Sequence, residues 1–460
     1  MLRPDVRGVG ADQLVTAHAA DEQLPVEPRP ESVRTLRPRW LPHGRIAAVD
    51  ERQALGGVLV LGGGFAGGYV ARLLGDRGAT IVSPENFMLY TPLLPEAASG
   101  TLEPRHAVVP LRQMCPRAEL LLGRATAVDA DARTARFDTD AGAQLVHWQE
   151  LVLALGAVPR TLPVPGLEEH ALSFKSLAEA IYLRNHVLRE LEAADAELDD
   201  AAQRARLTFV FVGAGYAGVE ALAELADLVD DASQYYPRLR DVPRRWVLVD
   251  AAPKILPEIP MRLGDYAAEE LRKRGVEIHV GTTLESLSER EAVLGDGTRI
   301  PTHTLVWTAG VRPHPLLTEL GVPLDERGRV VVDELLRVRE HVWALGDCAR
   351  VPNTRADHPD PPTCQHALRQ ARRLAKNIAG DPQPYGYRML GQVATLGRYK
   401  GIADVLGLRL RGFPGWFVTR SYHLYQLPLL SRKLRVVTDW TVALLFKRDI
   451  AELGSLTAER

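Results

Sequence analysis

Residues 209–220 read FVFVGAGYAGVE: an apolar run, glycines at 213, 215 and 218, then Glu220. Residues 58–70, VLVLGGGFAGGYV, repeat the pattern with glycines at 62, 64 and 67. An apolar run, G-x-G-x-x-G and a helical run together predict a strand, a tight loop and a helix that cradle a dinucleotide. The first glycine turns the chain, the second lets a pyrophosphate approach the backbone, and the third packs helix against strand. The phosphates then meet free N–H groups and the positive end of the helix dipole. Gly62, Gly64, Phe65, Ala66 and Gly67 form the first candidate cradle; Gly213, Gly215, Tyr216 and Gly218 form the second.

Each loop is followed by a further strand. ATIVS ends at Ser83, where a ribose-binding residue is expected, with Glu85 close behind. WVLVD ends at Asp250, whose carboxylate can accept bonds from ribose hydroxyls and repels a 2′-phosphate. No arginine follows in AAPK, so the second cradle favours NAD over NADP. The interval from Gly218 to Asp250 is long, and DDASQYYPRLRDVPRR either extends the helix or adds a loop. Two such loops imply two dinucleotides, most economically a tightly held FAD and an exchangeable NADH.

Three later segments punctuate the same scheme. LVLALGAVPR (151–160) is a strand turning at Gly156, and LVWTAGVRP (305–313) repeats that pattern around Gly310. VWALGDCARV (342–351) ends its strand at Gly346-Asp347, where Asp347 is placed to bond a ribityl or ribose hydroxyl. The helix TCQHALRQARRLAKNI comes next, its N-terminal end directed at the flavin ring, so Gln365 and His366 are candidate contacts. An ordinary solvated first turn explains those two residues equally well. The expected class is α/β, with two Rossmann-like domains, the NAD domain inserted in the FAD domain, and a C-terminal module. The expected bounds are a disordered N-terminal arm over 1–55, FAD domain over 56–160 and 301–382, NAD domain over 161–300, and the module over 383–460.

The composition is that of a soluble globular protein: 460 residues, 46% hydrophobic, 25% charged, net charge -2. That balance argues against a wholesale nucleic-acid binder. Cys115, Cys348 and Cys364 form neither C-x-x-C nor C-x4-C, so no disulfide framework and no metal site is expected. The first forty residues lack the apolar segment of a secretory signal, and no run is long enough to span a bilayer.

The segments GGGFAG, YTPLLPEAASGTLEP, LVLALGAVPRTLPVPG, VGAGYAGVEALAEL, VWTAGVRP and ALGDCA together resemble type II NADH dehydrogenases. These are single-subunit, non-proton-pumping NADH:quinone oxidoreductases of the two-dinucleotide flavoprotein superfamily. The resemblance covers roughly residues 56 to 450. SPENFMLYTPLLP looks like the eukaryotic branch, and Tyr216 departs from the proline of many members. The resemblance implies that Thr91 and Pro92 lie near the flavin ring, Gly310 near the nicotinamide and Gln365 at the quinone side. It also implies that Glu220 supports electron transfer electrostatically or through a proton, although an acidic residue in a first helical turn is commonly a dipole partner.

The cysteines and the C-terminal segment bear on the acceptor. A disulfide reductase lacks its C-x4-C, and a sulfide:quinone relay would need Cys115 to come close to Cys348 or Cys364. From Arg388 onward basic residues outnumber acidic ones and aromatics interleave; SRKLRVVTDWTVALLFKRD has an apolar centre between cations, suited to a headgroup layer. Trp416 and Trp440 fit an interfacial preference. The expectation is a peripheral enzyme on the cytoplasmic face of the cell membrane that reduces a quinone, with a homodimer left open and no nucleic-acid partner. Two alternatives stay open: a soluble NADH-dependent reductase for a ferredoxin-like or small-molecule acceptor, and a flavoprotein that senses NADH without turnover.

Overall fold

The strand Val58–Leu61 is buried at every position, and so is Thr208–Val212. Runs apolar on both faces suit central strands of a parallel sheet covered by helices. Each is central in the computed structural model, which describes residues 50–452. Val58–Leu61 lies between Glu150–Leu153 and Thr80–Ser83, in parallel register with both. Glu119–Leu122 extends one edge, and Val342–Ala344 with Arg337–Arg339 the other. Thr208–Val212 lies in the same way between Thr304–Trp307 and Arg245–Asp250, with Leu172–Ser173 and Val276–Val280 outside them. In both sheets the loop strand has the next strand on one side and a late-returning strand on the other, which opens a crevice at its carboxyl end.

Each sheet also carries an antiparallel meander: Arg124–Asp129, Thr134–Thr139 and Gly142–His147 on the first, Leu284–Leu287, Glu291–Leu294 and Arg299–Pro301 on the second. The chain crosses between the two units along Ala157–Pro159 and back along Val311–Pro313, paired antiparallel. A third sheet, Gly391–Thr395, Gly401–Val405 and Leu408–Arg411, precedes the helices Gly412–Gln426 and Leu430–Leu445.

Three expectations change. Ordered structure reaches into the stretch assigned to the arm, because Asp50–Gln53 pairs with Gly142–His147; residues 1–49 lie outside the described residues. The boundary at 300/301 moves, since Thr304–Trp307 belongs to the second sheet and the crossing comes at Val311–Pro313. Trp416 and Trp440 are buried rather than interfacial: the Arg420 guanidinium lies over both rings, 4.3 and 4.8 Å from their centroids. The long interval before Asp250 is both things at once, a helix running Tyr216–Ser233 and a loop after it.

Candidate active site

The two glycine loops have one geometry. Gly62 and Gly213 hold φ of 110° and 112°, and a Cβ on either would strike the backbone of the returning strand's loop, at Ala154 O and Ala309 N. A Cβ on Gly67 or Gly218 would meet Gly62 O or Gly213 O at 1.9 Å, so each helix seats directly on its own loop. Gly64 and Gly215 face open space, with nothing within 4 Å of a Cβ built there. They are the N-caps of the helices Phe65–Leu73 and Tyr216–Ser233, and no side chain caps either helix. The first-turn N–H groups are thus left for an anion at both places.

The strand ends complete the cradles differently. Asp250 Oδ2 accepts from Ala214 N at 2.5 Å and Oδ1 from Ala252 N at 2.7 Å, tying the carboxylate to the second loop. A carboxylate has lone pairs left for two more donors. Ser83 is buried against the first loop, its Oγ accepting from Glu85 N at 3.3 Å. Asp347 has no hydrogen-bond partner among the described residues, and burial raises its carboxyl above the usual range despite Lys175. The turn it sits on is braced: Gln370 Oε1 accepts from Gly346 N at 2.8 Å, and Gln370 Nε2 donates to Asp360. An open glycine cradle, uncapped helix N–H groups and an unpartnered carboxylate fit the pyrophosphate and hydroxyls of an FAD.

Glu220 lies in the second turn of the second loop helix, past the first turn that would make it a simple dipole partner, and it is buried. Its Oε1 accepts from Thr395 N at 2.9 Å and Thr395 Oγ1 at 3.3 Å. Burial pushes its carboxyl up to about 8; the Thr395 bonds offset part of this, and the charges of Glu224 and Glu96 add to it. The group therefore holds a proton at neutral pH. Gln365 is oriented from both ends of its amide, Nε2 donating to Gly391 O at 3.0 Å and Oε1 accepting from Tyr387 at 3.3 Å. His366 is turned inward: its Nδ1 pairs with Thr363 Oγ1 at 2.7 Å, and Nε2 is 3.6 Å from Asp360. Gly156 and Gly310 both have positive φ and open surroundings, at the two ends of the crossing strands.

Sequence reading missed two groups. Beside Thr91 and Pro92, Tyr90 packs on Phe65 of the first loop, centroids 5.4 Å apart, and its hydroxyl reaches His423 Nδ1 at 3.4 Å and His423 O at 3.3 Å. Burial lowers His423 to about 4, so this imidazole is neutral. Tyr69 donates to Gln426 O, and Gln426 to Tyr422, which ties the first loop helix to the helix Gly412–Gln426. The second group is Arg448, buried beyond the last helix: Nε donates to Thr101 at 2.9 Å, Nη1 to Asp231 and Nη2 to Glu224, both at 3.0 Å. Burial alone would raise the Glu224 carboxyl, but Arg448 and Arg420 hold it below its ordinary value. An internal arginine on the charged flank of an amphipathic run has no signature in one sequence.

The thiols make no redox pair in this fold. Cys115 donates to Gly68 O at 3.2 Å and Cys348 to Leu345 O at 3.3 Å, and all three cysteines are free. Fold and site together define a dinucleotide-binding oxidoreductase architecture with two matched cradles. A profile of the pyridine nucleotide-disulphide oxidoreductases matches residues 56–371, and the chain belongs to that family. It is 32% identical to the mitochondrial internal alternative NAD(P)H-ubiquinone oxidoreductase A1 of Solanum tuberosum, over 86% of this chain and 88% of that one. It is 28% identical to a type II NADH:quinone oxidoreductase of Mycobacterium tuberculosis, over 85% and 88%. The structure of NDH2 from Plasmodium falciparum in complex with NADH shares the fold at a TM-score of 0.79, with 17% identity, covering 86% of this chain and 99% of that one.

Proposed function

We infer that this chain is an FAD-dependent NADH:quinone oxidoreductase that passes two electrons from NADH to a membrane quinone without pumping protons. The observation that carries the reading is the pair of matched cradles in a chain with no redox thiol pair. The names of the relatives support the acceptor. Bound FAD would supply the redox chemistry, taking electrons from a nicotinamide and giving them to a quinone.

The chain's own residues do the rest by positioning. Gly62, Gly64, Phe65, Ala66 and Gly67 hold the FAD pyrophosphate, with Asp347 on the hydroxyls beside it and Gly156, Ser83, Thr91 and Pro92 around the cofactor. Gly213, Gly215, Tyr216, Gly218 and Asp250 hold NADH, with Gly310 at the nicotinamide end. Glu220 keeps a proton on its carboxyl at this crevice, and Thr395 sets its orientation. Gln365, fixed by Gly391 and Tyr387, faces the acceptor side.

Membrane contact belongs to the C-terminal helices. Phe413, Phe417, Leu430, Leu434, Leu445 and Phe446 are exposed there, with Arg435 and Lys447 among them. An exposed apolar stripe bordered by cations suits a helix lying in a headgroup layer, on the cytoplasmic face where NADH is found. Among the described residues no helix is long and apolar enough to cross a membrane.

The test is stopped-flow reduction of the purified enzyme by NADH and by NADPH, then reoxidation by ubiquinone and menaquinone analogues. NADH should win, and at least one quinone should restore the oxidised spectrum. Protein that stays colourless when offered FAD would end the reading.

A further inference from the structure

The helix Cys364–Ile378 carries Gln365 and, one turn on, Arg369. Residues four apart share a helix face, and one side chain meets both of these. Tyr387 gives its hydroxyl to Gln365 Oε1, while the Arg369 guanidinium lies over the Tyr387 ring, 5.2 Å from its centroid. Burial raises the Tyr69 and Tyr422 phenols and the Cys364 thiol, and the Arg369 charge opposes all three. The cation therefore acts on the first loop helix and on the helix Gly412–Gln426 at once. Cys364 also feels the charge of Asp347, which faces the FAD hydroxyls in the reading above.

Nothing in the chain answers this cation. Arg369 is half-buried, its Nη1 is buried without a partner, and it makes no ion pair or hydrogen bond among the described residues. The nearby charges are already matched. Arg373, on the same helix, pairs with Asp381, and Asp360 is bonded by Asn353, Gln370 and Tyr385. An arginine keeps its charge at any ordinary pH, so withdrawing one from water without a counter-ion is unfavourable until a ligand provides the acceptor. Its planar fork of donors fits two oxygens side by side, best when they share a negative charge. A quinone with an ionised hydroxyl next to a carbonyl is a flat electron acceptor that presents such a pair.

We propose that Arg369 sets acceptor specificity: its guanidinium forks onto the carbonyl and the ionised hydroxyl of a 2-hydroxyquinone whose ring lies beside Gln365. The proposal rests on the reading of Gln365 as the acceptor side, and the test separates the two. Oxidised, FAD-loaded enzyme without NADH is titrated with 2-hydroxy-1,4-naphthoquinone at pH 7, where the hydroxyl is ionised, and with its neutral 2-methoxy ether. Binding is read by equilibrium dialysis. Wild type should hold the hydroxy compound about tenfold tighter or more, the worth of one charge-assisted hydrogen bond. Arg369→Gln should bring the two dissociation constants together. Arg369→Lys should keep part of the preference, as a point charge without the fork. Arg373→Gln removes a charge that is already paired, so it should leave the preference intact. Acid that protonates the hydroxyl should erase the preference in wild type. Equal binding of the two compounds by wild type, or a preference that survives Arg369→Gln, overturns the proposal. Arg369→Gln protein that loses its FAD would show the guanidinium answering the cofactor, and the proposal falls as well. Failure of wild type to bind either compound overturns the acceptor reading of Gln365 along with it. Binding of the methoxy ether that Gln365→Ala weakens keeps that reading even where Arg369 proves indifferent.

Discussion

Consider replacing Arg448 by methionine, which keeps an extended side chain and removes its charge. In the wild type this one guanidinium bonds Thr101, Asp231 and Glu224 and lies 3.5 Å from Asp227, so it answers three carboxylates. Asp227 keeps Arg274, and Asp231 is partly exposed, but Glu224 is fully buried and is left with the hydroxyls of Ser99 and Thr101 and the field of Arg420, whose own ion pair is with Glu96. Removing one partner of a buried pair costs about 3–5 kcal/mol, because the other charge stays desolvated and unanswered. The loss should be read from urea denaturation of the FAD-loaded enzyme, with hydrogen exchange rising at the strap after the last helix. That strap is also held by Arg184 on the carbonyls of Asp449 and Ala451, by Arg189 on Glu452, and by Ile450 packed on the second core. The pH dependence has a definite sign. Wild-type Glu224 is held below its ordinary value, so its contribution is present above that range and fades as pH falls through the folded value. Without Arg448 the carboxyl can relieve the penalty by taking a proton, so the gap between variant and wild type narrows in acid. Adding Glu224→Gln should restore much of the loss. A deficit below about 1 kcal/mol, the range of exposed pairs, would refute the buried network.

Glu220→Gln should leave FAD and NADH bound and abolish a pH step. Wild-type Glu220 has its carboxyl raised from 4.5 to about 8, so its contribution to stability is full below 4.5, drains away as pH rises from there through the folded value, and is gone above it. Melting temperatures should keep a constant offset from the variant's below 4.5, drift from it between 4.5 and about 8, and run parallel again above. Asp250→Ala removes the acceptor for ribose hydroxyls and the tie to Ala214 N, and KM for NADH should rise about tenfold or more, the worth of a charge-assisted bond. A normal KM would remove Asp250 from the site. Gly64→Val and Gly215→Val place side chains where the fold leaves open space, so both proteins should fold. The first should purify colourless; the second should stay yellow and fail to be reduced by NADH. Full FAD occupancy in the first would contradict the cradle.

The two cradles were legible because they are contiguous. Each needs a turn, an open approach and a close seat within six residues, and only glycine meets all three, so the pattern survives in the string of letters. Asp250 was legible as the last position of a short apolar strand, and Asp347 as part of the turn just past the end of another. What the letters left hidden are meetings across the chain. Thr395 reaches Glu220 from 175 residues away, His423 reaches Tyr90 from 333, and Arg448 reaches Thr101 from 347. Trp416 and Trp440 read as interfacial because aromatics among cations favour a headgroup layer; folding instead closed both over Arg420 and put Trp440 Nε1 on Glu96. Backbone sterics act between neighbours and leave their mark in order and spacing. The proton held on Glu220 and the charge answered at Glu224 depend on how far water is excluded and which side chains converge, and packing alone sets both.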